Sequence, residues 1–352
     1  MDFTLPPKLE KGDKVAIIRP GNGPAKNEFS EVYELGLKRL REKFDLEPVE
    51  FPTCDMDMQE LSENPEKRAQ DVMDAFKHPE IKGVISAIGG SGEQLKILKY
   101  LDPEVLKSNP TRFYGYSDNT SLGLYLWKLG IVNFQGPMVM TELAMQGRMH
   151  EYTRKFMEKA FFQDSHGEIY ASEKFTDETL EWNEPENLQK TRELEAHPGL
   201  EWYNSDQGKI SGRTWGGCLD VVSINLQADK PLPQLHDLEG EILVLESSEE
   251  MPDENFVQRL MMSLGERGML EKFSAVLVGF QKARHREQRS KDEREEYREN
   301  QREAIKNGID EYAPGTPVVF NLNFGHADPI FPMPIGGKIE IDFEKEKIYI
   351  DL

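Results

Sequence analysis

Four short apolar runs, each cut off by a turn and followed by a segment of helical spacing, dominate the first third of the chain. The runs are KVAIIRP (14–20), EPVEFP (47–52), IKGVISAIGG (81–90) and TRFYGY (111–116). They are short and rich in β-branched or aromatic residues, as buried strands are. After them come EFSEVYELGLKRLREKF (28–44), NPEKRAQDVMDAFKHPE (64–80) with Pro65 in its first turn, EQLKILKYL (93–101) and TSLGLYLWKLG (120–130), all read as helices. Strict alternation of strand and helix means parallel strands with helices on both faces, an α/β fold. In such sheets ligands sit beyond the carboxyl ends of the strands. Pro20-Gly21, Gly89-Gly90 and Ser117 all fall there, so three unusual turns are expected to share one rim.

After Phe162 the pattern fades. Residues 163–212 are polar, with scattered Trp, Pro and Gly and no strong period. Regular structure resumes with GKISGRTWGGCLDVVSINL (208–226), the strand EILVLES (241–247), the amphipathic helix ENFVQRLMMSLGERG (254–268) and the strand FSAVLVGF (273–280). TPVVFNLNFGH (316–326) reads as a strand, and GKIEIDFEKEKIYIDL (337–352) as a hairpin turning at Glu344-Lys345. The expected organisation is an N-terminal domain at 1–165, an irregular linker at 166–205 and a second α/β domain with mixed strands at 206–352.

Composition narrows the partners. The 352 residues are 38% hydrophobic and 30% charged, and the formal net charge is -21. Nucleic acid and anionic membranes would repel such a chain. No apolar run approaches the about 18 residues of a membrane span, and the N-terminal MDFTLPPKLEKGDK lacks the apolar core of a signal peptide. Two cysteines, Cys54 and Cys218, make neither a disulfide framework nor a zinc knuckle. The expectation is a cytoplasmic protein. The stretch 282–306 carries nine basic and seven acidic residues, a pattern of a solvated helix laced with i,i+4 pairs rather than a one-signed patch.

Ser117 stands where a strand gives way to a helix. It can cap that helix, with Asp118 suiting the dipole. Alternatively it is a nucleophile on a sharp turn, with the following N–H facing an oxyanion. The usual pattern is G-x-S-x-G; here Gly115-Tyr116-Ser117-Asp118-Asn119 puts asparagine, tolerant of positive φ, at the second glycine. A serine needs a base. Of seven histidines, His78, His150, His166, His197 and His285 lie in polar stretches and read as surface residues, and His236 lies in a Pro-flanked loop. His326 follows an apolar strand in a Gly/Pro-rich loop, a place suited to a base and equally to a histidine bonded within a turn. An orienting carboxylate is also needed. Glu246 ends the buried run EILVLE, while Glu249, Glu250, Asp253 and Glu254 read as exposed acids. The turns RPGNGPAK and IGGSGEQ match neither a dinucleotide fingerprint nor a P-loop. Gly89-Gly90 better suits a close backbone approach, with one N–H joining that of Asp118 in an oxyanion hole.

Five segments together resemble the LD-carboxypeptidases, serine peptidase family S66: GYSDNTSL (115–122), AIGGSGEQLKILKYLD (87–102), GGCLDVV (216–222), ILVLESSEE (242–250) and NFGHADPIFPMPIG (323–336). The resemblance implies a serine hydrolase with Ser117 as nucleophile, Glu246 as orienter and His326 as base. It implies backbone donors at Gly90 and Asp118. It implies a flavodoxin-like N-terminal domain, a swivelling β/β/α C-terminal domain, no metal or organic cofactor, and a homodimer. Within the family the chain is more similar to the microcin C self-immunity peptidases, which cleave a peptidyl- or aminoacyl-nucleotide, than to members that release the terminal D-alanine of murein tetrapeptide. Ser91, in the turn from Gly89 to Gly92, stands where wall-directed members often carry a large residue. Trp182, Trp202 and Trp215 offer rings on which adenine could stack, or they pack the junction of the two halves.

Overall fold

The computed structural model describes residues 1–284 and 289–352; His285, and with it part of the charged 282–306 stretch, lies outside them. The chain divides into two compact units. The first comprises 1–165, 180–192 and 331–336, and the second 166–179, 193–330 and 337–352.

The first unit is built on a sheet of β1 (Lys14–Ile18), β2 (Glu47–Glu50), β3 (Ile81–Ser86), β4 (Arg112–Tyr114) and β5 (Asn133–Gln135). Their order is β2-β1-β3-β4-β5 and all pairs are parallel, which is the flavodoxin-like arrangement. A strand from far along the chain, Met333–Ile335 (β14 in chain order), adds antiparallel to β5. Its helices are α1 (Ser30–Phe44), α2 (Met58–Glu63), α3 (Pro65–Lys77), α4 (Pro103–Ser108), α5 (Thr120–Lys128) and α6 (Glu151–Phe162). Local chemistry sets their starts: Asp57 and Glu60 form a capping box on α2, and Pro65 and Pro103 occupy first turns. Ala16, Ile18, Val84 and Phe113 from the strands meet Val72, Phe76, Leu122 and Leu126 from α3 and α5 in one core. Burying each of the larger side chains contributes about 1.5–3 kcal/mol. The segment read as a helix at 93–101 winds instead as a 3-10 turn over Glu93–Tyr100, entered through Gly92 at φ +81°.

The second unit has an eight-stranded mixed sheet: β6 (Ser165–Ile169), β9 (Glu201–Tyr203), β10 (Lys209–Cys218), β11 (Ile242–Glu246), β12 (Ala275–Gly279), β13 (Val318–Leu322), β15 (Lys338–Asp342) and β16 (Lys347–Asp351). The order is β6-β16-β15-β10-β11-β12-β13-β9. Its centre, β10 to β13, is parallel, and both flanks are antiparallel. A small ribbon pairs β7 (Lys174–Phe175) with β8 (Glu195–Ala196). The helices are α7 (Leu219–Ala228), α8 (Glu254–Glu266), started by the Asp253 cap, and α9 (Lys291–Tyr312), started by a Ser290–Glu293 capping box. Sheets and helices together give the expected mixed α/β unit.

The linker expected at 166–205 is not one. It supplies four strands, and 180–192 belongs to the first unit. These strands are two to five residues long and pair with distant partners, so they leave no local period to read. Nor is α9 merely solvated, because Arg294 and Arg298 on it are buried.

Candidate active site

In the first unit the chain leaves β4, extends through Tyr116 (φ −133°, ψ −167°) and turns abruptly at Ser117, whose φ is +62°. A non-glycine residue in the left-handed region is strained and needs its surroundings to hold it there. Ser117 does not cap: neither the 3-10 turn it opens nor α5 has a side-chain cap. Positive φ falls on the serine itself, whereas Asn119 is helical at φ −63°. Asn119 serves by its amide, which donates to the Tyr116 carbonyl at 3.0 Å and the Ile88 carbonyl at 3.3 Å.

The three rim turns do converge. An added Cβ at Gly89 would stand 3.0 Å from Ser117 Cβ and 3.2 Å from its Oγ; one at Gly90 would stand 2.6 Å from both Asn22 Oδ1 and Asp118 Oδ2. Only bare backbone fits against the serine. The Gly23 amide donates to the Gly89 carbonyl at 3.1 Å, and the Ser91 amide donates to Asn22 Oδ1 at 3.0 Å. Asn22 Nδ2 donates to the Ser91 and Ser62 hydroxyls, so exposed Ser91 is tied to the turn that carries Asn22. Gln94 knits the turns together: its Nε2 donates to Asn119 Oδ1 at 2.8 Å, and its Oε1 accepts from Leu122 N–H at 2.8 Å.

Asp118 is buried, with both carboxylate oxygens 3.2 Å from the Gln94 amide. Burial pushes its carboxyl up to about 7, against the pull of the Gln94 N–H and the buried Arg68 guanidinium. Arg68 itself donates to the Pro20 carbonyl at 3.0 Å. At the residue before the serine, the Tyr116 hydroxyl donates to Glu142 at 2.9 Å. Sequence reasoning missed Asn22, Arg68, Gln94 and Glu142; each lies on a different element, and only Arg68 and Glu142, charges at buried positions, left a trace in the pattern.

In the second unit, Glu246 is the last residue of β11 and almost wholly buried. Its Oε2 lies 2.7 Å from His326 Nδ1. Gly325, at φ +101°, lets the histidine loop close on that carboxylate, because an added Cβ there would meet Oε2 at 2.6 Å. Burial opposes charging of the imidazole. Glu246, through charge and hydrogen bond, and Glu249 outweigh burial and the opposing Lys282, so His326 titrates above its ordinary value. With Nδ1 facing a carboxylate, the tautomer that keeps its lone pair on Nε2 is favoured, which is the form of a general base.

Other expected contacts fare differently. The Trp215 ring is fully buried and stacked 5.8 Å from Phe273, so it fills the core of its unit and has no face for a ligand. Trp182 is half-buried, edge-on to Phe29 at 5.4 Å within the first unit. Trp202 is half-buried, edge-on to Phe343 at 5.5 Å within the second. Two histidines expected on the surface are not freely exposed. His166 is buried, and His197 packs 4.7 Å from Phe280, where burial and then Arg298 push it down to about 4. Cys54 and Cys218 are free and buried. Among the described residues no group of three or more His, Cys, Asp or Glu is placed to hold a metal ion, and no helix is long and apolar enough to cross a membrane.

Residues 15–136 match the family model of the LD-carboxypeptidase N-terminal domain, and residues 211–341 that of the C-terminal domain. The YocD protein of Bacillus subtilis is 28% identical over 350 residues, covering 98% of both chains. The microcin C7 self-immunity protein MccF of Escherichia coli is 27% identical over 292 residues, covering 81% of this chain and 78% of its own. The crystal structure of an MccF-like protein from Streptococcus pneumoniae in complex with AMP superposes with a TM-score of 0.84 at 25% identity, covering 96% of this chain and 98% of that one. The two matched models, in this order and over most of the length, make the chain a member of the LD-carboxypeptidase family, peptidase family S66, and a serine-type hydrolase.

Proposed function

We propose that the chain is a peptidase/amidase with a Ser117–Glu246–His326 triad, cleaving an amide bond in a peptidyl- or aminoacyl-nucleotide antibiotic of microcin C type. Nε2 of His326 takes the Ser117 proton as Oγ attacks the carbonyl carbon. The oxyanion is met by the backbone N–H groups of Gly90 and Asp118. His326 returns the proton to the leaving amine as the C–N bond breaks, and water then releases the acyl group from Ser117. The observation that carries this reading is the 2.7 Å contact of His326 Nδ1 with a buried strand-end carboxylate. The microcin reading is supported by the MccF relative, and the nucleotide half of the substrate by the AMP complex of the similar Streptococcus pneumoniae protein. Trp182, Trp202 and Ser91 are the proposed substrate contacts, and the enzyme is proposed to be a cytoplasmic homodimer.

A second reading, release of terminal D-alanine from murein tetrapeptide, is favoured by a Bacillus subtilis relative bearing the name of a murein peptide carboxypeptidase, 24% identical over 359 residues. Aspartyl sulfamoyl-adenosine and murein tetrapeptide, offered side by side and followed by mass spectrometry, separate the two. Ser117→Ala is expected to abolish turnover with little change in melting temperature; retained turnover removes Ser117 from the mechanism.

A further inference from the structure

The loop that carries His326 is not part of a regular strand. It is held instead by a strap, residues 172–177, and strap, loop and their partners all lie within the second unit. The Ser172 amide donates to Oδ1 of Asn323 at 2.8 Å, three residues before the histidine. Asn323 Nδ2 donates in turn to the Pro329 carbonyl at 3.1 Å, three residues after it. Thr176 and Asp328 exchange both backbone hydrogen bonds, at 2.7 and 2.9 Å. Between these ties Phe175 packs with Phe280 and with Ala327, the residue next to His326.

The far end of the strap is anchored in an ion cluster. Asp177 is wholly buried. Its Oδ1 accepts from Arg284 Nε at 2.7 Å and from an Arg294 guanidinium N–H at 3.3 Å. Its Oδ2 accepts from Arg298 at 2.6 Å and from the Ala283 amide at 3.2 Å. Arg298 also donates to the Gln281 carbonyl at 3.0 Å, and its guanidinium lies over the Phe280 and Phe175 rings at 4.7 and 5.0 Å. Glu195 on β8 takes both ends of Arg294, at 2.5 and 3.1 Å. One carboxylate thus joins the strap, the stretch after β12 and α9. A buried ionic network is a poor source of net stability but a stiff one, since breaking any member leaves a charge unpaired. Stiffness is what a general base needs from its support.

We propose that Asp177 is a positioning residue: by anchoring the 172–177 strap to Arg284, Arg294 and Arg298, it holds the His326 loop in place against Glu246. The inference rests on the reading of His326 as the base. The charged groups that act on the imidazole are Glu246 at the end of β11, Glu249 in the loop after it and Lys282 after β12. A loosened strap weakens the Nδ1–Oε2 contact and leaves burial, which lowers the imidazole, less opposed.

The test is Asp177→Asn in the full chain, which turns one of its two acceptor oxygens into a donor among the guanidinium groups and the Ala283 amide. Rates are normalised to folded protein and measured across pH. We expect kcat to fall about 10- to 100-fold, the scale for small misplacement of a reacting group, with KM changed less than about twofold. The low-pH limb of kcat/KM should move to lower pH. A merely architectural role scales rates equally at every pH and leaves the limb in place. If Asp177→Asn does not fold, Asn323→Ala, which cuts only the Ser172 and Pro329 ties, carries the same expectation. Wild-type kcat and an unmoved limb in the folded variant overturn the proposal. His326→Ala separates the two ideas: retained turnover there defeats the base itself, whereas its loss beside an unaffected Asp177→Asn defeats only the strap.

Discussion

Replacing Gly325 with alanine probes the contact on which the dyad depends. At φ +101° a side chain strains the backbone by about 1–3 kcal/mol. The new Cβ would also stand 2.6, 2.8 and 3.0 Å from Glu246 Oε2, Cβ and Cγ. Glu246 is buried and cannot swing into solvent, so overpacking adds about 1–3 kcal/mol. The sum, about 2–6 kcal/mol, lowers the melting temperature by roughly 5–20 °C for a unit of this size. Relief comes most easily by separating carboxylate and imidazole, so the labelling rate of Ser117 by a fluorophosphonate should fall by about 100-fold or more. Gly315→Ala is the control: its φ is +84°, and nothing lies within 4 Å of an added Cβ. It should lose a few degrees and no labelling rate. Both quantities are read on the same samples, by near-UV circular dichroism and gel fluorescence. If Gly325→Ala melts with Gly315→Ala and labels at the wild-type rate, the crowding argument and the tight Glu246–His326 pair fall together.

Four further substitutions probe the same geometry. Glu246→Gln removes what holds His326 above its ordinary value; the low-pH limb of kcat/KM should move to lower pH and the rate fall roughly 100- to 10,000-fold. In the wild type, the raised imidazole contributes stability that is fully present below its unfolded pKa, about 6.5, and lost as pH rises through the folded value. Glu246→Gln should flatten that dependence in thermal melts. Asp118, pushed up to about 7 mainly by burial, likewise contributes stability at low pH that is lost as pH rises toward 7. The melting temperature of Asp118→Asn minus that of the wild type should therefore climb between pH 4 and pH 8, and a constant difference refutes the shift. Trp215→Phe should lower the melting temperature and leave KM alone, while Trp182→Ala should raise KM for an aminoacyl-nucleotide by roughly 5- to 100-fold if its ring stacks on the base. An unchanged KM removes Trp182 from the pocket.

Local pattern carried four of the five parallel strands of the first unit, because each is a self-contained run closed by a turn and each rim turn announces itself by Gly, Pro or Ser; it missed β5, whose three residues Asn133–Gln135 are too few to show a pattern. It carried Glu246 and His326 as separate residues, each at the end of a strand, without showing that they touch. It failed where pairing is remote. Strand β14 joins the first sheet from nearly two hundred residues away, and β6 to β9 pair in pieces too short to show a period. Arg294 and Arg298 read as solvated because a charged helix looks the same whether or not a buried Asp177 awaits it. Asn119 was given a left-handed backbone that Ser117 adopts instead, since which residue of a turn takes the strain depends on what packs beside it.

The amino-acid order alone determined the α/β class, the parallel core of the first unit, the rim at which its unusual turns lie and the residues capable of nucleophilic chemistry, because these depend on periodicities of two to four residues. Tertiary structure decided what holds those residues: the left-handed Ser117 against bare glycine backbone, the buried Glu246 facing His326, and the strap anchored by Asp177. Those features arise from contacts between segments tens to more than a hundred residues apart, where a carboxylate or a guanidinium takes its character from burial and partner rather than from its neighbours in the chain.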